Sequence, residues 1–174
     1  MKVETQRSAA LTQLGKLIEN ISVAMIANVD ASGALVSRPM TPLEMDVHAA
    51  IWFFVDMRTT KVQQLGVANL SFTDIPSATY VSMSGRAAID GDHARIERLW
   101  TPSLRPWFPE GPDAEHLALL RFVPAMAEYW DAPSSRMVRT VALATSVAIG
   151  QPVGMGEHGR LDDLNDRSSR TSQT

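Results

Sequence analysis

Ser22-Val23-Ala24-Met25-Ile26-Ala27-Asn28-Val29 is rich in Val, Ile and Ala, and it runs into Asp30-Ala31-Ser32-Gly33. Residues of that second kind favour a tight reversal, so the pair predicts a strand and a hairpin turn. The chain then returns through Ala34 to Met45 as a second strand. Pro39 and Pro42 fall within this return run. A proline nitrogen has no hydrogen to give a sheet ladder, so the run is expected to be bulged or to lie at an edge.

Working outward, Ala50 to Val55 predicts a third strand. Its core, Ile51-Trp52-Phe53-Phe54-Val55, is continuously apolar, which implies burial on both faces. Thr59 or Thr60 is expected to open a short helix reaching Leu65. Ala68 to Thr73 and Thr79 to Ile89 predict a fourth and a fifth strand. In the fifth, Val81 and Met83 share one face, and Tyr80, Ser82, Ser84 and Arg86 the other. Asp90-Gly91-Asp92 forms a turn, and either aspartate can cap a helix running to Trp100. Thr101 to Pro112 holds four prolines and is expected to be irregular. A short helix over residues 113–120 and a sixth strand over 121–130 follow. Residues 4–20 predict an amphipathic helix, because Ala10, Leu14, Leu17, Ile18 and the adjoining Ile21 recur at helical spacing. A last helix is expected from Pro133-Ser134 onward. Beyond Gly154 the residues are polar and predict a disordered tail over 154–174, leaving one folded domain over 1–153.

Six strands joined largely by hairpins, with helices at the ends, specify a mainly β chain folded as a small antiparallel barrel. Strict strand–helix alternation is missing, which argues against a doubly wound sheet.

Composition excludes several functions. The chain has no cysteine, so disulfides, thiolate metal sites and cysteine nucleophiles are out. The net charge of -3 gives no basic excess for nucleic acid or an anionic membrane. Met1 to Asn20 lacks the apolar core of a signal peptide, and no window approaches a membrane span. His48, His93, His116 and His158 show no metal-ligand spacing, and no phosphate-loop, dinucleotide or hydrolase motif is present.

Four clusters remain. Arg38, within Ser37-Arg38-Pro39-Met40, is a cation in an apolar strand and needs an anion or water. Thr59-Thr60-Lys61 combines hydroxyls and an ammonium at an expected helix start, which suits a phosphate. Tyr80 to Gly85 alternates hydroxyls along one strand face. Trp100, Trp107, Phe108, Tyr129 and Trp130 supply aromatic surface for a small core, a planar ligand or an interface. Trp100 and Trp130 suit a core, whereas Trp107 sits among prolines. Each cluster alone also fits a solvated or purely structural role.

Together their order resembles the pyridoxamine-phosphate-oxidase-like FMN-binding split barrels, and within them the general stress protein group. The resemblance rests on Ser37-Arg38-Pro39-Met40, Trp52-Phe53-Phe54-Val55-Asp56, Thr60-Lys61 and Tyr80-Val81-Ser82-Met83-Ser84-Gly85. It continues through Leu99-Trp100-Thr101-Pro102, Arg105 to Gly111 and Ala127-Glu128-Tyr129-Trp130-Asp131. It implies a six-stranded antiparallel split β-barrel that forms a homodimer with flavin at the interface. On that resemblance Arg38, Pro39 and Met40 run beside the flavin ring, and Phe54, Val55 and Asp56 lie near its edge and ribityl chain. Thr60 and Lys61 hold the phosphate, and Trp107 reaches over the ring from the partner. The cofactor is FMN, with FAD also admissible, and no metal is implied. The implied protein is cytoplasmic. Its function is either flavin-dependent oxidoreduction with a nicotinamide or other small redox partner, or a flavin reservoir or sensor without turnover. The basic C-terminal motif by which the vitamin-processing oxidases grip substrate is missing.

Overall fold

The computed structural model describes residues 1–58, 66–131, 157–162 and 164. The expected helices over 59–65 and from residue 133 lie outside those residues, as do Thr60 and Lys61.

The opening hairpin forms as expected. Strands β2 (Ala24–Val29) and β3 (Leu35–Met40) pair antiparallel, with Met25 opposite Pro39. Asp30 Oδ1 accepts from the backbone N–H groups of Ser32 and Ala34, and Gly33 takes φ +83°. That is an aspartate-stabilised reversal closed by a residue without a Cβ. The return run splits into β3 and a short β4 (Glu44–Met45), with Pro42 in the break. β3 is an edge of the sheet, as its proline requires.

The sheet runs β1-β4-β5-β8-β7-β6-β2-β3 and stays open between its ends. Its remaining members are β1 (Lys2–Val3), β5 (Ile51–Asp56), β6 (Val67–Asp74), β7 (Thr79–Asp90), β8 (Leu117–Asp131) and β9 (Glu157–Leu161). Among the described strands only β1 pairs parallel, with β4. The fold is thus a mainly β split barrel, with β1 and β9 added to the six strands expected.

Three local expectations change. Residues 113–116 form turns and Leu117 to Leu120 begin β8, where a short helix was expected. Alanine and leucine favour helix, but here all four are buried and pair with β5, and Leu119 and Leu120 pair with β7 as well. Tertiary pairing overrides the propensity. Helix α1 covers only Ala9–Ile18, capped by Ser8, because residues 2–3 are committed to β1. Finally, β9 arises from the expected structureless tail and pairs with the second half of β8.

Two apolar layers sandwich the middle of the sheet. The inner layer gathers Leu11, Leu14 and Ile18 of α1 with Phe53, Phe72, Met83 and Phe122. The outer layer puts Trp52 beneath α2 (His93–Leu99, capped by Asp92) and Phe108 of the following loop. β5 therefore sends Ile51, Phe53 and Val55 inward and Trp52 and Phe54 outward, which explains its unbroken apolar run.

Charged groups fasten the outer layer. Glu44 is fully buried and accepts from Arg98 Nη1 at 2.6 Å, Arg98 Nη2 at 2.8 Å and Arg95 Nη1 at 3.3 Å. The Arg98 hydrogen bonds, then the nearby Arg98, Lys2 and Arg95 charges, lower its pKa against the opposing effect of burial. Arg95 also lies 3.9 Å from the Trp52 ring centroid, which pins α2 over the sheet.

Candidate functional site

The end of β3, the end of β5 and the loop after α2 converge on one cavity of about 520 Å³. Pro39 and Met40 enter from β3, Phe54 and Asp56 from β5, and Trp107 from the proline-rich loop. These five residues come from three stretches far apart in sequence. Thr41, Leu43, Ser103, Leu104 and Phe108 complete the wall. The size falls within the range of small-molecule sites, and the wall is mostly apolar with a few polar atoms.

Local sequence explains each wall. Phe54 points outward because strand alternation sends Val55 inward to the main core. Val55 consequently turns its side chain away from the cavity. Phe54 lies 6.1 Å from Trp100 and 6.2 Å from Phe108, both at steep ring angles, so an aromatic triad backs the cavity. A 3-10 turn over Pro102–Leu104 brings Ser103 and Leu104 to the wall. Trp107 remains 68% exposed, so it contributes little to the chain's own core. It borders the cavity of its own chain. Trp130, expected in a core, is 43% exposed and stacks on His158 at 5.1 Å.

Two charged groups bear on the site, one of them on the wall itself. Asp56 contributes the carboxylate of the described wall. Its Oδ1 accepts from the backbone N–H of Arg58 at 2.9 Å and from Nε at 3.0 Å. Its Oδ2 accepts from Nη2 at 2.6 Å and from Nε at 3.1 Å. Those side-chain bonds hold the carboxyl down to about 2, against desolvation. The second group, Arg38, precedes Pro39 on β3, is half-buried and is not among the residues that line the cavity. Its Nη2 is buried without a hydrogen-bond partner among the described residues. Burial lowers the pKa of this guanidinium. A buried, unmatched guanidinium nitrogen is costly unless an acceptor reaches it.

Several wall residues were not singled out from sequence. Thr41 and Leu43 continue the strand run after Met40, and Ser103 and Leu104 share the loop of Trp107. Proximity to a marked residue was their only signal.

The sequence matches the family model described as "Pyridoxamine 5'-phosphate oxidase like" over residues 9–153. The chain belongs to that family. Solved structures agree on the fold. A candidate general stress protein 26 from Jannaschia sp. superposes with a TM-score of 0.71 at 22% identity, covering 89% of this chain and 99% of that one. A protein related to general stress protein 26 from Clostridium acetobutylicum gives 0.61 at 22% identity, covering 70% and 87%. A general stress FMN/FAD binding protein from Xanthomonas citri gives 0.61 at 28% identity, covering 71% and 89%. No curated protein shows a significant match. No helix among the described residues is long and apolar enough to cross a membrane.

Proposed function

We propose that this member of the family binds FMN in the cavity and acts as a flavin-dependent oxidoreductase on a small redox partner. The observation that carries the reading is the convergence of Pro39, Met40, Phe54, Asp56 and Trp107 on one largely apolar cavity. Such a space suits a flat heterocycle. Arg38, the sequence neighbour of Pro39, has an unmatched guanidinium nitrogen that suits an acceptor atom. The similarity to the Xanthomonas citri FMN/FAD binding protein supports a flavin and leaves FAD as a second candidate.

When bound, the flavin supplies the electron-transfer chemistry, and the protein supplies binding and orientation. Pro39 and Met40 line one side, Phe54 the back and Trp107 the rim. Asp56 is tied to Arg58, so it is a poor general base for turnover. Thr60 and Lys61 take the phosphate on this reading.

The functional unit is a homodimer on the same reading. Met25, Ser71 and Ser82 form one row across β2, β6 and β7, and Ala27, Asn69 and Ser84 the next. These side chains carry no charge. Met25 also pairs with Pro39, so the face is continuous with the cavity wall. A second copy of the chain is its occupant, and light scattering at twice the chain mass is the expected result. A cytoplasmic setting fits the cysteine-free composition.

The test is direct. Purified protein should carry or take up FMN and show a flavin spectrum. Lys61→Ala should weaken FMN by about 1.5–3 kcal/mol, or roughly tenfold to a hundredfold. Rapid reduction of the bound flavin by NADH or NADPH supports turnover. Binding without reduction favours a reservoir or sensor, and a colourless protein that ignores FMN defeats the reading.

A further inference from the structure

Four side chains on the described cavity wall carry strong hydrogen-bonding atoms: Thr41, Asp56, Ser103 and Trp107. The Trp107 indole only donates. The Asp56 carboxylate only accepts, and Arg58 already gives it a backbone N–H, Nε and Nη2. The hydroxyls of Thr41 and Ser103 can do both. Ser103 stands apart because its Oγ lies 2.7 Å from Thr101 Oγ1, and either oxygen can be the donor.

The local backbone explains this pair. Thr101 is the N-cap of the 3-10 turn Pro102–Leu104, yet its side chain makes no capping bond. Its hydroxyl turns to Ser103 instead. The backbone N–H of Leu104 donates to the Thr101 carbonyl at 3.0 Å, and that of Arg105 to the Pro102 carbonyl at 3.2 Å. The N–H groups of Trp107 and Phe108 both donate to the Leu104 carbonyl at 3.0 Å. Ser103, Leu104, Trp107 and Phe108 therefore form one bonded piece of wall, with a hydroxyl set among apolar and aromatic surface.

A hydroxyl pair has two arrangements. When Thr101 donates, the Ser103 hydrogen is free for a ligand acceptor. When Ser103 donates, its oxygen is free for a ligand donor. Passing from one to the other rotates two hydroxyl hydrogens and moves no heavy atom. A flavin ring calls for such a partner: uptake of two electrons and a proton turns a ring nitrogen from acceptor into N–H donor. A group able only to donate would favour one redox state.

We propose that Thr101 and Ser103 form a reversible hydrogen-bonding contact for the polar edge of the flavin ring, in which Ser103 touches the ring and Thr101 is a positioning residue for the Ser103 hydroxyl. The proposal rests on the flavin reading above and concerns the ring alone.

FMN, riboflavin and lumiflavin share the ring and differ in what it carries, so titrating all three locates the contact. Full-length wild type is compared with Ser103→Ala, Thr101→Val, Thr101→Ser and the double variant of the first two. Both residues are exposed, so the variants should melt like wild type. Ser103→Ala should weaken all three ligands by the same factor, about twofold to tenfold, the scale of one neutral hydrogen bond. The midpoint potential of bound FMN should hold, because both redox states lose one bond. Thr101→Val should cause a smaller loss, and Thr101→Ser should restore wild-type binding. The double variant should bind like Ser103→Ala alone, since Thr101 acts through Ser103.

Unchanged affinities in Ser103→Ala overturn the proposal. Losses on FMN and riboflavin without a loss on lumiflavin place Ser103 on the ribityl chain and overturn it too. A potential shift that accounts for the whole affinity change means that the contact serves one redox state, and the reversible pair falls. Additive losses in the double variant remove Thr101 from its positioning role. Wild type that binds none of the three ligands refutes the flavin reading itself, whereas the other failures leave that reading standing.

Discussion

Trp52 Nε1 donates to Asp46 Oδ2 at 2.8 Å, and both side chains are buried. Asp46 Oδ1 meanwhile accepts from the backbone N–H groups of His48 and Ala50. One carboxylate therefore closes the β4–β5 turn and anchors the outer apolar layer. Trp52→Phe keeps most of the packing but strips Oδ2 of its indole donor. It should lower stability by about 1–3 kcal/mol, the cost of a buried acceptor losing its donor. Equilibrium urea unfolding of wild type and variant checks this.

Glycine at position 85 has a steric reason. A Cβ there would overlap the carbonyl oxygen of Val123 and come within 2.9 Å of Pro124 Cα and Phe122 Cζ. The register between β7 and β8 shifts at this point, with Ser84 opposite Met126 and Gly85 opposite Pro124. Backbone atoms cannot yield as a flexible side chain would. Gly85→Ala should destabilise by about 1–3 kcal/mol or more, the range for overpacking. A drop in thermal midpoint measures it, and an unchanged midpoint would contradict the steric account.

Acid should expose the role of Glu44. Its carboxyl is depressed in the folded chain, chiefly by the Arg98 hydrogen bonds. A depressed folded value stabilises the fold at pH above the unfolded value, about 4.3 for a glutamate. That contribution is lost as the pH falls through the folded value. Glu44→Gln should be less stable than wild type near neutrality, and the difference should narrow below about pH 4. Melting curves across that range test the sign.

Arg38→Met should separate binding from stability. The guanidinium has a buried nitrogen without a partner, so its removal relieves desolvation in the ligand-free fold. The free protein should melt at an unchanged or higher temperature. FMN affinity should fall by roughly tenfold to a hundredfold, as for a charged hydrogen bond. A stability loss with unchanged affinity would assign Arg38 to the scaffold instead.

Trp107 is a convenient reporter for the same site. Its exposure means Trp107→Ala should alter the stability of the free protein by less than about 0.5 kcal/mol. If a flavin stacks at the rim, FMN should quench part of the wild-type indole fluorescence. That part should be missing in the variant.

Much of the fold could be read from local chemistry. Asp30 to Gly33 reverses the chain through short-range bonds, and β5 declares its two buried faces by composition alone. Leu117 to Leu120 could not be read in the same way. Their helical preference is intrinsic, whereas their strand state depends on pairing with β5 and, for Leu119 and Leu120, also with β7. β1 is two residues long and exists through its pairing with β4. β9 likewise depends on a distant partner: Gly159 lies against the Tyr129 ring, leaving no room for a Cβ. At the site, strand alternation separates Phe54 from Val55, yet the side to which each turns follows only from the layers above and below. The occupied state of Asp56 was also hidden, because the neighbouring arginine had no signal of its own.

Pro39 has a consequence beyond the cavity it lines. Open sheets risk recruiting foreign strands along their outermost ladder, which is how many proteins begin to form fibrils. β3 is such a rim, and Leu35 on it is 77% exposed. A ring nitrogen near the end of that rim withholds one donor from any intruding strand. Replacing Pro39 with valine would therefore remove a safeguard against self-association into fibres as well as reshape the ligand wall.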